Sequence, residues 1–125
     1  MSWGVHADVI PHQAQRYNTV GDWEEGHFGA PHQIWVSACG NPDYEFLVML
    51  HELAEFWLCH RRGISQEVVD AWDNSHADND PGADPQAPYH REHEFACRIE
   101  ELVSHEMGIE LPEYNRALEN LGVIE

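Results

Sequence analysis

The stretch NPDYEFLVMLHELAEFWLCHRRG, residues 41–63, decides the fold because it predicts one long helix in the middle of the chain. Asn41 is a natural N-cap residue, and Pro42 suits the first helical position. Two arginines favour the negative end of the helix dipole, and Gly63 after them predicts the helix end. Apolar side chains cover most of the circumference of this helix, which predicts a central and buried position.

Three polar side chains interrupt the apolar helix. His51 and Glu55 are one turn apart and about 40° apart around the axis, so both can reach one ion, while Glu52 stands about 100° from His51. An imidazole and two carboxylates in apolar surroundings need compensation, which a metal ion would supply. The pattern therefore predicts His51 and Glu55 as metal ligands and Glu52 as the catalytic general base that takes a proton from an activated water. Zinc is the expected cofactor, and the carboxylate ligand leaves Fe²⁺ or Mn²⁺ possible.

The segment PYHREHEFAC, residues 88–97, offers candidates for the third ligand. His93 is preferred, because imidazole suits zinc and His93 borders an apolar stripe of its predicted helix. Glu92 is the rival, because it falls near the middle of that stripe, where it could bind the metal or hydrogen-bond a ligating histidine. Cys97 follows His93 by one turn and is either a softer ligand or a buried free thiol.

The rest of the pattern predicts strands first and helices afterwards, in a single domain over residues 1–125. Strand-forming residues indicate strands at 5–10, 16–20 and 33–38, and Gly21-Asp22 reads as punctuation between the last two. The predicted fold class is α+β, with residues 1–40 mainly β and residues 41–125 mainly α. An antiparallel β meander would pack on the buried helix, and two to three further helices would follow.

The later helices are marked by their ends. Ser65 caps a second helix that should end near residue 76, with Val68, Val69 and Trp72 facing inward. Its Asp70 and Asp73 form either a solvated face or a hydrogen-bonding group directed towards His51. Residues 77–88 predict a loop, a third helix runs over about 89–107, and a short C-terminal helix covers about 113–121.

One part of the chain resembles the zincin metallopeptidases. The strand QIWVSA, the turn CGNPD and the HExxE helix, together residues 33–62, are similar to the strand-and-helix unit of that family, with Glu55 where its second histidine stands. The HELxE helix and the segment PGxDPxAPYxxEH at 81–93 also resemble small uncharacterised proteins encoded by phages and prophages. The zincin resemblance implies a zincin-like fold, a metal-dependent hydrolase or metalloprotease, and a peptide or protein substrate. A substrate peptide bond would be presented as a strand beside residues 33–38.

The charge of the chain limits its partners. There are 23 Asp and Glu against 6 basic residues, all of them Arg, which gives a formal net charge of −17. Direct nucleic-acid binding through phosphates is therefore excluded. The acidity fits a solubility or salt adaptation, or a field that attracts metal ions. It also fits an acidic phage-type interaction or inhibitor protein, which would imitate nucleic acid for a basic protein partner and hold a structural metal or none. In a further alternative, the polar side chains of the long helix form buried ion pairs with Arg91 or Arg98 of another helix and have no catalytic function.

Cysteine usage and hydropathy indicate the compartment. Cys39, Cys59 and Cys97 are an odd number at wide spacing, which favours free thiols over a disulfide framework. The chain has no apolar run of membrane-spanning length, and its first residues lack the features of a signal peptide. We therefore expect a soluble cytoplasmic protein without membrane contact.

Overall fold

The structure, a computed structural model, describes residues 3–76 and 80–124, and the side chains among them up to residue 121. Within these ranges the chain is α+β, as predicted. Part of the loop predicted at 77–88 lies outside the described residues. The elements are β1 (Val5–Ile10), β2 (Gly21–Glu24), β3 (His32–Ser37), α1 (Pro42–Arg61), α2 (Gln66–Ser75), α3 (His90–Glu106) and α4 (Leu111–Ile124), with short 3-10 turns at His12–Ala14 and Pro81–Ala83.

The sheet is mixed, so the predicted antiparallel meander is wrong. Its strand order is β1-β3-β2, with β3 parallel to β1 and antiparallel to β2. The chain leaves β1 through the turn at His12–Ala14 rather than through a hairpin, and residues 11–20 carry it across to the far edge of β3. The strand predicted at 16–20 is therefore a connecting segment, and Gly21-Asp22, predicted as punctuation, begins β2.

The central position of β3 overturns one expectation about substrate binding. Both edges of this strand are occupied, by β1 on one side and by β2 on the other. A substrate strand therefore cannot add beside residues 33–38 as predicted, because the hydrogen-bonding groups of β3 already pair with its two neighbours.

Helix α1 packs on the sheet with its polar residues inside. Its ends follow the sequence prediction, because the Asn41 side chain accepts hydrogen bonds from the first turn and Gly63 takes a positive φ of 71°. The buried face pairs Leu47 and Phe56 with Ile34 of β3, all three at 1% exposure or less. The predicted burial holds for only part of the circumference, because one apolar stripe faces outward with Phe46, Leu53 and Trp57 at 44%, 37% and 37% exposure.

The remaining helices enclose the buried face of α1. Helix α3 packs along α1, and Tyr114 of α4 is fully buried in the same core. In α2, Val69 is buried as predicted, whereas Val68 is 45% exposed and does not face inward. None of the helices in the described ranges combines the length and the apolar character needed to cross a membrane.

Candidate metal centre

Helices α1 and α3 bring together three of the residues predicted to bind a metal. Glu55 Oε2 lies 3.3 Å from His51 Nε2 and 2.9 Å from His93 Nδ1. All three residues are buried, at 9% exposure or less. In a tetrahedral zinc site with bonds of about 2.0 to 2.1 Å, neighbouring ligand atoms lie about 3.3 Å apart. The contact of Glu55 with His51 has this spacing, and the contact with His93 is somewhat shorter.

Glu55 is oriented by a residue of the sheet. The indole Nε1 of Trp23 donates a hydrogen bond of 3.1 Å to Glu55 Oε1, which turns the other oxygen, Oε2, towards the two imidazoles. Trp23 is itself buried, at 4% exposure. A ligating carboxylate whose second oxygen is hydrogen-bonded is typical of protein metal sites, because the bond fixes the direction of the free oxygen.

His51 is oriented by a carboxylate that the sequence reasoning missed. Glu100 Oε1 lies 2.7 Å from His51 Nδ1, and the Tyr114 hydroxyl donates a bond of 2.5 Å to Glu100 Oε2. The contact with Glu100 keeps a proton on Nδ1 and directs Nε2 towards the cluster. Glu100 follows His93 by seven residues, two turns along the same face of α3, and this spacing was the available signal. Tyr114 lies on another helix and had no local signal.

Cys97 enters the same cluster from α3. The donor atoms of His51, His93 and Cys97 all lie within 4.8 Å of one another. Cys97 Sγ is 3.6 Å from His93 Nε2, and Asp80 Oδ2 is 3.4 Å from the same nitrogen. Burial raises the pKa of the Cys97 thiol, but hydrogen bonds with both histidines outweigh that effect and lower the pKa below its usual value. Among the described residues, the three donors that lie mutually close are therefore those of His51, His93 and Cys97, while Glu55 contacts each of the two histidines.

Glu92, the rival third ligand, is engaged elsewhere. Its Oε2 lies 2.6 Å from Nη1 of Arg62, just after the end of α1. This ion pair compensates the carboxylate, which is 4% exposed, and accounts for its position in the apolar stripe of α3. The structure does not bring Glu92 to the cluster. The two arginines that could have paired with the α1 carboxylates also point away, because Arg91 is exposed and the Arg98 guanidinium lies over the ring of Phe95.

Glu52, the predicted general base, lies beside the cluster. Its Oε2 is 3.9 Å from His51 Nε2, and the residue is 9% exposed. Burial and the negative charge of Glu55 raise the pKa of Glu52 well above its usual value. The backbone of Gly21 passes so close that a Cβ there would lie 2.7 Å from Glu52 Cγ. Glu52 is therefore packed in place by β2 rather than free to move.

The metal-free cluster balances its charges with protons. Burial raises the pKa of Glu55, but hydrogen bonds from His51 and His93 outweigh it and lower the pKa to about 2. Burial lowers the pKa of His93, but its contacts with Asp80, Cys97 and Glu55 raise it to about 12. For His51, contacts with Cys97, Glu100 and Glu55 likewise outweigh burial and raise the pKa. A divalent cation that replaced two protons would preserve this charge balance.

The cluster forms the floor of a cleft of about 680 Å³ between β2, α2 and the start of α3. This volume is that of a small-molecule or peptide site. On the α2 wall, Asp70 contacts Arg16 at 3.4 Å and Asp73 accepts a hydrogen bond from the Tyr89 hydroxyl. Neither aspartate hydrogen-bonds His51, so both belong to the wall of the cleft rather than to the metal cluster.

No protein-family model matches the chain, and neither a curated protein nor a solved structure matches it. Function has to be inferred from the chemistry of the site itself.

Proposed function

We propose that the protein is a zincin-like metal-dependent hydrolase that binds one divalent ion, zinc by preference, through His51, Glu55 and His93. Glu52 serves as the general base for the attacking water. The substrate lies in the cleft above these residues. This function combines the donor atoms of the cluster with the carboxylate of Glu52, which makes no hydrogen bond within the described residues.

The orientation of the donors carries the proposal. Glu100 fixes one nitrogen of His51, and Trp23 fixes one oxygen of Glu55, so that the remaining atoms of both side chains converge. A buried ion-pair network needs only satisfied charges, whereas a metal site needs donors aimed at a common point. Both partners come from elements other than α1, so the arrangement is not a by-product of the i, i+4 spacing.

The donor set fits zinc. Imidazole nitrogen, carboxylate oxygen and thiolate sulfur are all zinc ligands, and Cys97 beside His93 favours zinc over the harder Mn²⁺. Fe²⁺ remains compatible with a site of two histidines and a carboxylate. When bound, zinc supplies Lewis acidity and lowers the pKa of a coordinated water.

Glu52 is suited to proton transfer by its surroundings. Its carboxylate lines the cleft, and among the described residues its polar contact is the one with His51 at 3.9 Å. A buried carboxylate with a raised pKa accepts a proton more readily than an exposed one at neutral pH. Glu52 can therefore take a proton from a water above the cluster and return it to a leaving group.

The first experiment is elemental analysis of protein purified without a histidine tag. We expect about one zinc per chain, lost in His51→Ala and retained in the matched control His6→Ala, since His6 is exposed on β1. Glu52→Gln should keep the metal and lose hydrolysis of a panel of peptide and ester substrates. Turnover retained in Glu52→Gln would overturn the mechanism. A wild-type protein without metal that stays folded in chelator would instead favour the acidic interaction protein.

A further inference from the structure

The walls of the cleft carry one sign of charge. Eight of the described residues that line it are Asp or Glu, and none of these lining residues is Lys or Arg. The cluster itself uses only part of this charge, because Asp22 of β2 and Asp70 and Asp73 of α2 stand apart from the two histidines. A cleft lined by carboxylates concentrates cations and repels anions, and the net charge of −17 extends the effect over the whole molecule.

The free edge of β2 is not suited to pairing with an added strand. In the pairing with β3, the backbone groups of Gly21, Trp23 and Glu25 face away from the sheet. Side chains already satisfy several of these groups: Thr19 Oγ1 donates to the Gly21 carbonyl, Asp22 Oδ1 accepts from the Trp23 amide, and Gln66 Oε1 accepts from the Glu25 amide, each at 2.9 Å. Recognition in the cleft therefore falls to the side chains of its walls.

The guanidinium of Arg16 is a cation that already binds to aspartates of the cleft walls. The Arg16 guanidinium makes two hydrogen bonds to Asp22, of 2.8 and 3.1 Å, and one of 3.4 Å to Asp70. Its Cζ also lies 4.9 Å from the centre of the Tyr17 ring. A bidentate carboxylate with an aromatic face is a specific guanidinium site. Arg16 fills this position at the rim of the cleft.

Asp73 is a second aspartate of the α2 wall of the cleft. It lies one turn after Asp70 on α2, and the Tyr89 hydroxyl donates a hydrogen bond to it. Among the described residues no cationic side chain forms an ion pair with Asp73. The carboxylates of Glu55, Asp70 and Asp22 lie near enough to act on it electrostatically. Arg16 already compensates Asp22 and Asp70, so Asp73 is the aspartate of the α2 wall that an incoming cation would pair with.

We infer that the cleft selects substrates that carry a guanidinium or ammonium group, which Asp73 binds while the bond to be cleaved lies against Glu52 and the metal cluster. Only the cleavage step of this inference rests on the proposed function, because binding of the cation needs no metal. The shared chemistry is a compact organic cation, whether free or as the side chain of a basic peptide.

Binding of three probes tests the inference. Nα-acetylarginine amide, Nα-acetyllysine amide and the neutral isostere Nα-acetylcitrulline amide are titrated into the protein, with chelator and again with zinc, and followed by NMR shifts. We expect the two cations to bind about tenfold or more tightly than citrulline, with a preference that shrinks as salt rises. A peptide with one central arginine, compared with the arginine amide, separates a peptide site from a small-molecule site.

Two variants locate the cation. Asp73→Asn keeps an acceptor for the Tyr89 hydroxyl and removes the charge, so it should abolish most of the preference while thermal unfolding shows that the fold remains. Glu101→Gln is the matched control, because Glu101 is exposed on α3 outside the cleft. Equal binding of arginine and citrulline amides, or the same loss in both variants, would overturn the inference. Zinc binding without a cation preference would overturn this inference and leave the proposed function intact. A cation preference without hydrolysis would support this inference and contradict the proposed function.

Discussion

His51 and Glu100 lie on different helices, yet Nδ1 of the imidazole and Oε1 of the carboxylate are 2.7 Å apart. The contact joins α1 to α3 at the centre of the candidate site, and Tyr114 extends it to α4. Because Glu100 faces the nitrogen that points away from the cluster, it acts on the metal through the orientation and basicity of His51.

Glu100→Gln should therefore weaken zinc binding by about 10- to 100-fold, the range found for partners of ligating histidines, without unfolding the protein. Competition with a chromophoric chelator measures the affinity. Glu101→Gln, a neighbouring exposed change of the same kind, should leave it unaltered. An unchanged affinity in Glu100→Gln would show that the negative charge of Glu100 does not act on the metal through His51.

The absence of a side chain at Gly82 makes room for His93. A Cβ at this position would lie 2.5 Å from His93 Cγ and 2.7 Å from Nδ1, so Gly82→Ala must displace the imidazole. We expect loss of most zinc affinity and a destabilisation of about 1 to 3 kcal/mol from overpacking. Gly4→Ala is the matched control, because its nearest neighbour, Pro31 Cβ, is 4.0 Å away. Full zinc content in Gly82→Ala would argue against His93 as a ligand.

The absence of a side chain at Gly21 likewise makes room for Glu52, the proposed general base. A Cβ there would lie 2.7 Å from Glu52 Cγ and 2.8 Å from Val48 Cγ1. Gly21→Ala should move the carboxylate of Glu52 while leaving the donors of His51 and His93 in place, so turnover should fall at least about tenfold with zinc content retained. Turnover per bound zinc, compared with Gly4→Ala, separates this effect from metal loss. Unchanged turnover would mean that Glu52 does not transfer the proton.

The helices were predictable because their signals are local. Asn41 caps α1 through the amides of Asp43 and Tyr44, and Gly63 and Gly108 adopt the positive φ expected after a helix end. The topology of the sheet was not predictable, because the parallel pairing of β1 with β3 depends on the path of residues 11–20. Contacts of Arg16 with Asp22 and with the distant Asp70 hold that path, and no local pattern predicts them.

The same distinction applies to the site. The pair His51 and Glu55 follows from helical spacing, so the sequence predicts it. The approach of His93, 38 residues after Glu55, was inferred only from buried polar groups that needed partners. Trp23 and Tyr114 reach the cluster from β2 and α4, where each reads as an ordinary core aromatic.

Asp73 gives the stability of the metal-free protein a defined pH dependence. Burial raises its pKa from 3.8 to about 6, despite the hydrogen bond from Tyr89, and nearby carboxylates add to the shift. The folded state thus favours the protonated form, and the corresponding stability is present below pH 3.8 and lost as pH rises to about 6. Relative to Asp73→Asn, the wild type should lose on the order of 1 kcal/mol across this window, since solvent screens a partly exposed group. Chemical unfolding in chelator at several pH values measures the difference, and parallel curves would contradict the prediction.

Zinc binding should release protons. In the metal-free protein the raised pKa values of His51 and His93 keep both imidazoles protonated at neutral pH, and zinc binds only the neutral form. We expect release of about two protons per zinc and an affinity that rises with pH. For His93, the stability gained from protonation is complete below the ordinary value of 6.5 and is lost as pH rises through about 12, so zinc competes with protons throughout the neutral range. Calorimetric titration in buffers of different ionisation enthalpy counts the protons. Zinc uptake without proton release would place the ion away from these two histidines.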